Sequence, residues 1–543
     1  MTALKTQTLA KHRHIWLRNS VLTALAAGAF SATTANAQYI YAPTAGASGN
    51  WNTAARWTGG PDGTFPNAID ATATFNLPAS TAPAGNYNVQ LSNTAGPLIT
   101  VGAITVNNSA AATGTLRFGA NGNGSLIFQS SSGPATYTEN AATPTDSTFN
   151  SVIFAPVTFA SDTVITQNHN LLNNGGTTFN SSNNSPGGTT AASNITVKKE
   201  GLGNVEFNVA PTAPATGFEG TLVVNAGAVR ITSNVFANAA AVKVNAGGQF
   251  QLGSGTVTNW SLTPGAVLTL NGTGKDPSTV NPVGALRFQS GSGTASFDNA
   301  VTLESDSTIF VNANLAPTPP NPITYGKLTL SQVVSGAGGL IKEGAGILAL
   351  AQANTYGGNT TINDGTLLAT NTTGSATGAG SVTVGATGAL GGSGFISGPV
   401  TFVGGGFLAP GASPETLHTG SLALDALTNL NYELDTAGVV GSGVNDLTEV
   451  TGSLTLDGTL NITGLGGFGL GVYRLFNYTG QLIDNGLSLG TTPAGFGYAI
   501  DTSIANQVNL TVTAVPEPTT LAMAGMGLGL IGLVLRGRKR CGT

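Results

Sequence analysis

Chemistry needs converging polar groups, and this chain offers few of them. Outside the N-terminal stretch the histidines are His169 and His418, and neither has a nearby ligand cluster, so no metal site is expected. The one cysteine, Cys541, lies beyond a C-terminal basic cluster, which leaves the rest of the chain without disulfides or thiolate ligands. Gly486-Leu487-Ser488-Leu489-Gly490 matches the G-x-S-x-G pattern, but no histidine follows it and no helix pattern follows the serine, so it reads as a strand and its turn. Gly274-Lys275 and Gly326-Lys327 continue with Asp276 and Leu328 rather than Ser or Thr, so neither makes a phosphate loop. Carboxylates remain as acid–base candidates for polysaccharide cleavage: Lys198, Lys199 and Glu200, the matching Lys342 and Glu343, and Asp446 with Glu449. The Lys-Glu-Gly element recurs at equivalent positions and therefore reads as a turn with a local ion pair. Repeated architecture explains it better than repeated chemistry. The nonapeptide spacing of calcium-binding turns is absent. No catalytic residue, cofactor or metal is assigned.

The elements that would carry such groups are short. In residues 334–368, apolar pulses (Leu340-Ile341, Ile347 to Leu350, Thr360 to Ile362, Thr366 to Leu368) alternate with Gly, Asn and Asp. Each pulse is strand-length and each separator is turn chemistry. No pulse makes a core alone, so such units must stack on others of their kind. The chain has 543 residues, 77 of them glycine, and only 8% are charged, against about a quarter in ordinary globular proteins. Thr, Asn, Ser, Gly, Ala and Val dominate, and no amphipathic helical period runs between residues 40 and 513, so the expectation is all-β.

Echoes of several kinds support stacking. Residues 125–133 (SLIFQSSSG) return at 285–293 (ALRFQSGSG), and 157–165 (VTFASDTVI) at 301–309 (VTLESDSTI). The run KKEGLGNVEF, TLVVNAGAVRI, AVKVNAGGQFQLGSG parallels IKEGAGILAL, TTINDGTLLA, SVTVGATGALGGSG. Matching glycines, Gly227 with Gly248 and Gly365 with Gly388, set a unit of about 20–25 residues and on the order of 20 turns of chain. Trp51 and Trp57 read as a plug at the open N-terminal end rather than a sugar-stacking surface. Near the other end, Asp457-Gly458 between two alternating segments reads as a hairpin turn.

The two ends are different in kind. Basic residues precede the apolar run Val21 to Phe30 and an A-x-A pattern at Ala35 and Ala37, which reads as a signal peptide cut by signal peptidase before Gln38. At the C-terminus, Pro516-Glu517-Pro518 leads into 17 uncharged residues, 519–535, and then a basic cluster of Arg536, Arg538, Lys539 and Arg540. As a helix the apolar run spans about 25 Å, and the positive-inside rule puts the cluster in the cytoplasm. With those terminal charges set aside, the chain carries 11 basic against 24 acidic residues, which argues against nucleic-acid binding.

The C-terminal order of parts resembles the PEP-CTERM sorting domain of Gram-negative bacteria, with Pro516, Glu517, Pro518, the apolar helix and the basic cluster at the family's positions. The resemblance implies cutting near that motif by an exosortase-type transpeptidase, inner-membrane anchoring through the helix beforehand, and delivery to the cell surface, outer envelope or extracellular matrix. Residues 336–368 (GAGGLIKEGAGILALAQANTYGGNTTINDGTLL) and 404–424 resemble the autotransporter-associated β-strand repeat. That resemblance implies a right-handed parallel β-helix, or β-solenoid; the copy at 197–231 is degraded by a stretch with Pro211 and Pro214. Autotransporters end in a membrane barrel, whereas a sorting helix is expected here, so self-translocation is not. The expected division is signal peptide 1–37, N-terminal Trp-containing β cap 38–100, solenoid 101–410, C-terminal β rungs or cap 411–513 and sorting signal 514–543. The expected role is structural or adhesin-like, with exopolysaccharide or other surface polymers as partners. The alternative is a polysaccharide lyase or hydrolase on the same scaffold.

Overall fold

The computed structural model describes residues 38–515 apart from 42–48, 61–63, 78–86, 92–97, 109–113, 120–123, 141–148, 169–175, 181–188, 209–216, 254–256, 275–283, 315–323 and 412–413. The fold is all-β. The sole helical element among the described residues is a single 3-10 turn, Ala54–Arg56. Thr, Val and aromatic residues in alternation form strands mostly of three to six residues, with one face buried, and Gly, Asn and Asp turn the chain between them.

Three parallel ladders run side by side, and the chain visits them in a fixed order. Thr72–Leu77, Ala103–Asn108, Ala135–Asn140 and Thr163–Gln167 pair in turn in the first, part of a 12-stranded sheet. Tyr87–Gln90, Gly114–Phe118, Phe149–Ile153 and Gly176–Asn180 pair in the second. Leu98–Val101, Ser125–Phe128, Val157–Phe159 and Thr189–Ala191 pair in the third. Each strand hydrogen-bonds to the strand one circuit away, the pairing pattern of a β-solenoid. Farther along, Thr360–Ala369 and Val382–Gly392 pass through a corner and belong to two ladders at once, bending at a register shift between Ile362 and Asp364.

Gly227 pairs with Gly248 and Gly365 with Gly388, so the glycine echoes mark successive circuits. The uniform 20–25-residue unit is corrected. Asn225 and Asn245 are 20 residues apart on neighbouring circuits, but Asn107 and Asn140 are 33 apart and Asn271 and Ser305 are 34. Longer connections between ladders make up the difference, so the array has fewer turns than a constant unit gives.

The core is the inside of the coil, and like stacks on like. Phe179 lies over Phe207 with centroids 4.9 Å apart and rings 11° from parallel. In the later circuits leucines replace aromatics: Leu328, Leu348, Leu367, Leu390, Leu408, Leu430 and Leu460 form one register line, all buried. On the outside, the side-chain amides of Asn76, Asn107, Asn140 and Asn168 hydrogen-bond in series at 2.8, 2.9 and 2.9 Å. An asparagine amide donates and accepts, so identical neighbours satisfy one another along the axis.

The two ends are closed differently. Trp51 and Trp57 are buried in a cluster with Tyr39, Tyr41, Phe75 and Phe118, and their indole N–H groups donate to Pro66 O and Trp51 O at 2.7 Å. Neither ring presents a surface for a sugar. At the other end the parallel ladders continue to Leu482–Asp484 and Ser488–Leu489. Gly471–Tyr478, Gln507–Ala514 and Phe496–Asp501 then add antiparallel pairs. The hairpin at Asp457-Gly458 is corrected: its flanking strands, Leu454–Leu456 and Thr459–Gly464, do not pair with each other but with separate ladders. The Asp457 carboxylate accepts the Gly458 N–H at 2.8 Å and turns a solenoid corner. Parallel stacking overrides the local turn signal there. Trp51→Ala should lower unfolding stability by about 3–5 kcal/mol, measured by denaturant titration. An unchanged midpoint would show that the cluster does not close this end.

Candidate functional site

The recurring Lys-Glu-Gly element places a buried ammonium at a corner of the coil. Lys342, fully buried, donates from Nζ to three main-chain carbonyls: Glu343 O at 2.9 Å, Gly344 O at 2.5 Å and Asp364 O at 3.0 Å. Lys199 repeats this with Glu200 O at 2.6 Å, Gly201 O at 2.7 Å and Ala226 O at 3.1 Å. An ammonium has three donors and no acceptor, so three carbonyls at a corner saturate it. The third carbonyl belongs to the next circuit, so each lysine clamps two circuits together.

The expectation of a local Lys–Glu ion pair is thereby corrected. Glu200 and Glu343 instead accept the side-chain amides of Asn225 and Asn363, at 2.5 and 2.7 Å. Gly227 is required by this geometry: its φ is +68°, and an added Cβ would sit 2.8 Å from Lys199 Nζ and 2.4 Å from Gly203 O. The two clamps occupy different corners. Lys199 lies in Thr196–Glu200 of the first ladder and Lys342 in Leu340–Glu343 of the second.

Burial lowers the Lys342 amine to about 7 from its ordinary 10.5, opposed by the charges of Asp364 and Glu343. A neutral amine at that pH is a nucleophile, but this one is enclosed on all sides and saturated, so no substrate reaches it. Its role is structural.

The remaining candidates separate. Asp446 is buried and accepts the Glu415 N–H at 3.0 Å and the Glu433 N–H at 2.7 Å. Burial pushes its carboxyl up to about 7; those two hydrogen bonds oppose the rise, and the nearby Glu433 and Glu415 charges add to it. Glu449 points outward, with Oε2 2.9 Å from His418 Nδ1, and the imidazole stacks on Phe395 at 4.2 Å and 11°. The two carboxylates therefore do not share a site, and cleavage of a glycosidic bond needs a facing pair. The His418–Glu449 contact escaped sequence reading because the residues are 31 positions apart and only the strand register brings them opposite.

Ser488 lies in a two-residue exposed strand paired to Thr459–Gly464, as the strand reading expects. Among the described residues no group of three or more His, Cys, Asp or Glu side chains gathers for a metal, and no helix is long and apolar enough to cross a membrane. His169, Ala35, Ala37, Pro516, Glu517, Pro518, the apolar run 519–535, Arg536, Arg538, Lys539, Arg540 and Cys541 lie outside the described residues.

Residues 340–369 match the model of the passenger-associated-transport-repeat. That span opens at the Lys342 clamp and closes with the strand Thr360–Ala369, which receives it. Residues 514–539 match the PEP-CTERM protein-sorting motif. The chain carries both elements. It is also 54% identical over 109 residues, 19% of its length, to the adhesin BmaC autotransporter of Brucella suis biovar 1 (strain 1330). The chain spans 3% of the length of that adhesin.

The clamp predicts a stability profile. The folded amine loses its proton near 7 and the unfolded one near 10.5, so between those values the unfolded state binds more protons and stability should rise with pH, levelling above 10.5. Lys342→Met abolishes this pH dependence and strands three carbonyls, lowering stability by about 3 kcal/mol above pH 10.5, where the parent no longer bears the ionisation penalty. Urea denaturation of both proteins across pH 6–11 checks it; indistinguishable profiles would reject the clamp.

Proposed function

We propose that this chain is an exported bacterial surface or exopolymer-matrix protein of structural, adhesin-like type, built as an elongated right-handed parallel β-helix and sorted through its C-terminus. The observation that carries the reading is one chain holding a passenger-associated repeat in a stacked parallel-strand body and a PEP-CTERM motif after it. The similarity to an autotransporter adhesin supports the adhesive role.

In this reading signal peptidase cuts after Ala37, and residues 519–535 hold the chain in the inner membrane as a transmembrane helix. Arg536, Arg538, Lys539 and Arg540 stay in the cytoplasm. An exosortase-type enzyme then acts at Pro516-Glu517-Pro518 and hands the body to the surface of a Gram-negative cell. The division into signal peptide (1–37), Trp-containing cap (38–100), solenoid (101–410), C-terminal rungs or cap (411–513) and sorting signal (514–543) belongs to the same proposal. A long outer surface of Thr, Asn and Ser makes many weak contacts with polymers and has no enzymatic role.

Replacing Pro516, Glu517 and Pro518 with alanine should leave the body in the inner-membrane fraction, read by fractionation and immunoblotting. A variant that reaches the surface as the parent does would reject this route. The His418–Glu449 pair favours a second reading, a polysaccharide lyase or hydrolase on the same scaffold. Incubation with a polysaccharide panel should release no new reducing ends or unsaturated products. Turnover abolished by Glu449→Gln would replace the structural reading with the enzymatic one.

A further inference from the structure

The second ladder carries an outward row unlike the rest of this acidic chain. In register along the axis it reads Glu206, Arg230, Gln251, Arg287, Phe310, Glu343, with Gln251 buried between the two half-buried arginines. Arg230 Nη1 lies 3.4 Å from Glu206 Oε2. Arg287 has no carboxylate of the described residues within ion-pair reach: its guanidinium lies 5.7 Å from the centroid of Phe310, and its Nη2 is 3.5 Å from Asn312 Oδ1. The Nε atoms of both arginines are buried without a hydrogen-bond partner among the described residues. Buried donors are normally satisfied, so each such group calls for an explanation.

We infer that this row binds an acidic polysaccharide lying along the solenoid axis, with Arg287 taking one carboxylate and Arg230 taking another in exchange for Glu206. The inference rests on the surface-polymer reading above and names the polymer's chemistry. Strands of neighbouring circuits are about 4.8 Å apart. Arg230 and Arg287 are two circuits apart, so their charges repeat at about 10 Å. An extended glycan advances by about one circuit spacing per sugar, so uronates on every second sugar recur at the two-circuit step that separates the arginines.

The fork of a guanidinium suits a carboxylate. Burial, and then the charge of Arg230, push Arg287 down to about 10, as expected of a cation short of counter-charge. Nucleic acid, with a phosphate every 1.7 Å or so, is a poor match: its charge is far denser than this row, and the body around the row is itself acidic. Arg117 beside Phe154, with a centroid distance of 5.9 Å, repeats the arginine–aromatic pairing on the same face nearer the N-terminus.

Titrating the full chain in detergent with hyaluronan, whose glucuronates alternate with neutral sugars, tests this by calorimetry. Dextran and duplex DNA are the comparators. Binding to hyaluronan is expected to exceed both. Arg230→Gln and Arg287→Gln should each weaken it about tenfold, the size of one lost charge-assisted hydrogen bond. Arg287→Lys should give a smaller loss, and Lys198→Gln, an exposed cation on another ladder, should change nothing. Unfolding midpoints of the variants separate lost binding from lost structure.

Hyaluronan binding that survives both glutamine variants overturns the row, as does DNA binding of equal strength. Dextran bound as well as hyaluronan overturns the row and leaves the surface-polymer reading standing. A chain that is sorted normally but binds no polysaccharide overturns both the row and polymer binding.

Discussion

Everything in this molecule depends on one constraint: a strand of the parallel ladders has no partner in its own circuit. Its N–H and C=O groups are satisfied by strands one circuit before and one circuit after. An unpaired backbone group buried away from water costs as much as a lost hydrogen bond, so no circuit stands alone and the ends must be dealt with separately. At one end aromatic rings fill the opening. At the other the chain reverses and pairs antiparallel.

The same constraint explains the composition. Side chains in register sit about 4.8 Å apart along the axis, where like charges repel and identical neutral groups do well. Asparagine lines, leucine lines and stacked phenylalanines follow from this, and so does a chain with 8% charged residues. Charge survives where something else answers it. A lysine turned inward meets three carbonyls, Glu206 meets Arg230, and His418 meets Glu449. Arg287 differs in that no carboxylate of the described residues lies within ion-pair reach of it.

Much of this was legible in the sequence, because alternation and turn residues are local. Short pulses between Gly, Asn and Asp announced strands that must stack, and Gly227, Gly248, Gly365 and Gly388 marked true neighbours. What the pattern hid was set by contacts across circuits. Asp457-Gly458 has the chemistry of a hairpin, yet its flanking strands find partners on other circuits. Lys342 beside Glu343 resembles an ion pair, yet the ammonium is directed into the corner by three carbonyls, one of them 22 residues away. Circuit length is not constant: Gly227 to Gly248 and Gly365 to Gly388 both span short circuits, while connections elsewhere are longer. His418 and Glu449, 31 positions apart, carry no shared motif. Only the register joins them.

The lysine clamp sits at a corner of the first ladder at Lys199 and of the second at Lys342. It is therefore a property of the bend and is indifferent to which side of the prism it serves. A strand gained or lost outside the one-circuit span of a clamp leaves that clamp intact. It also swings all the surface beyond that point by a third of a revolution. Such proteins can redirect what they display by changing the phase of the winding, without altering one contact side chain.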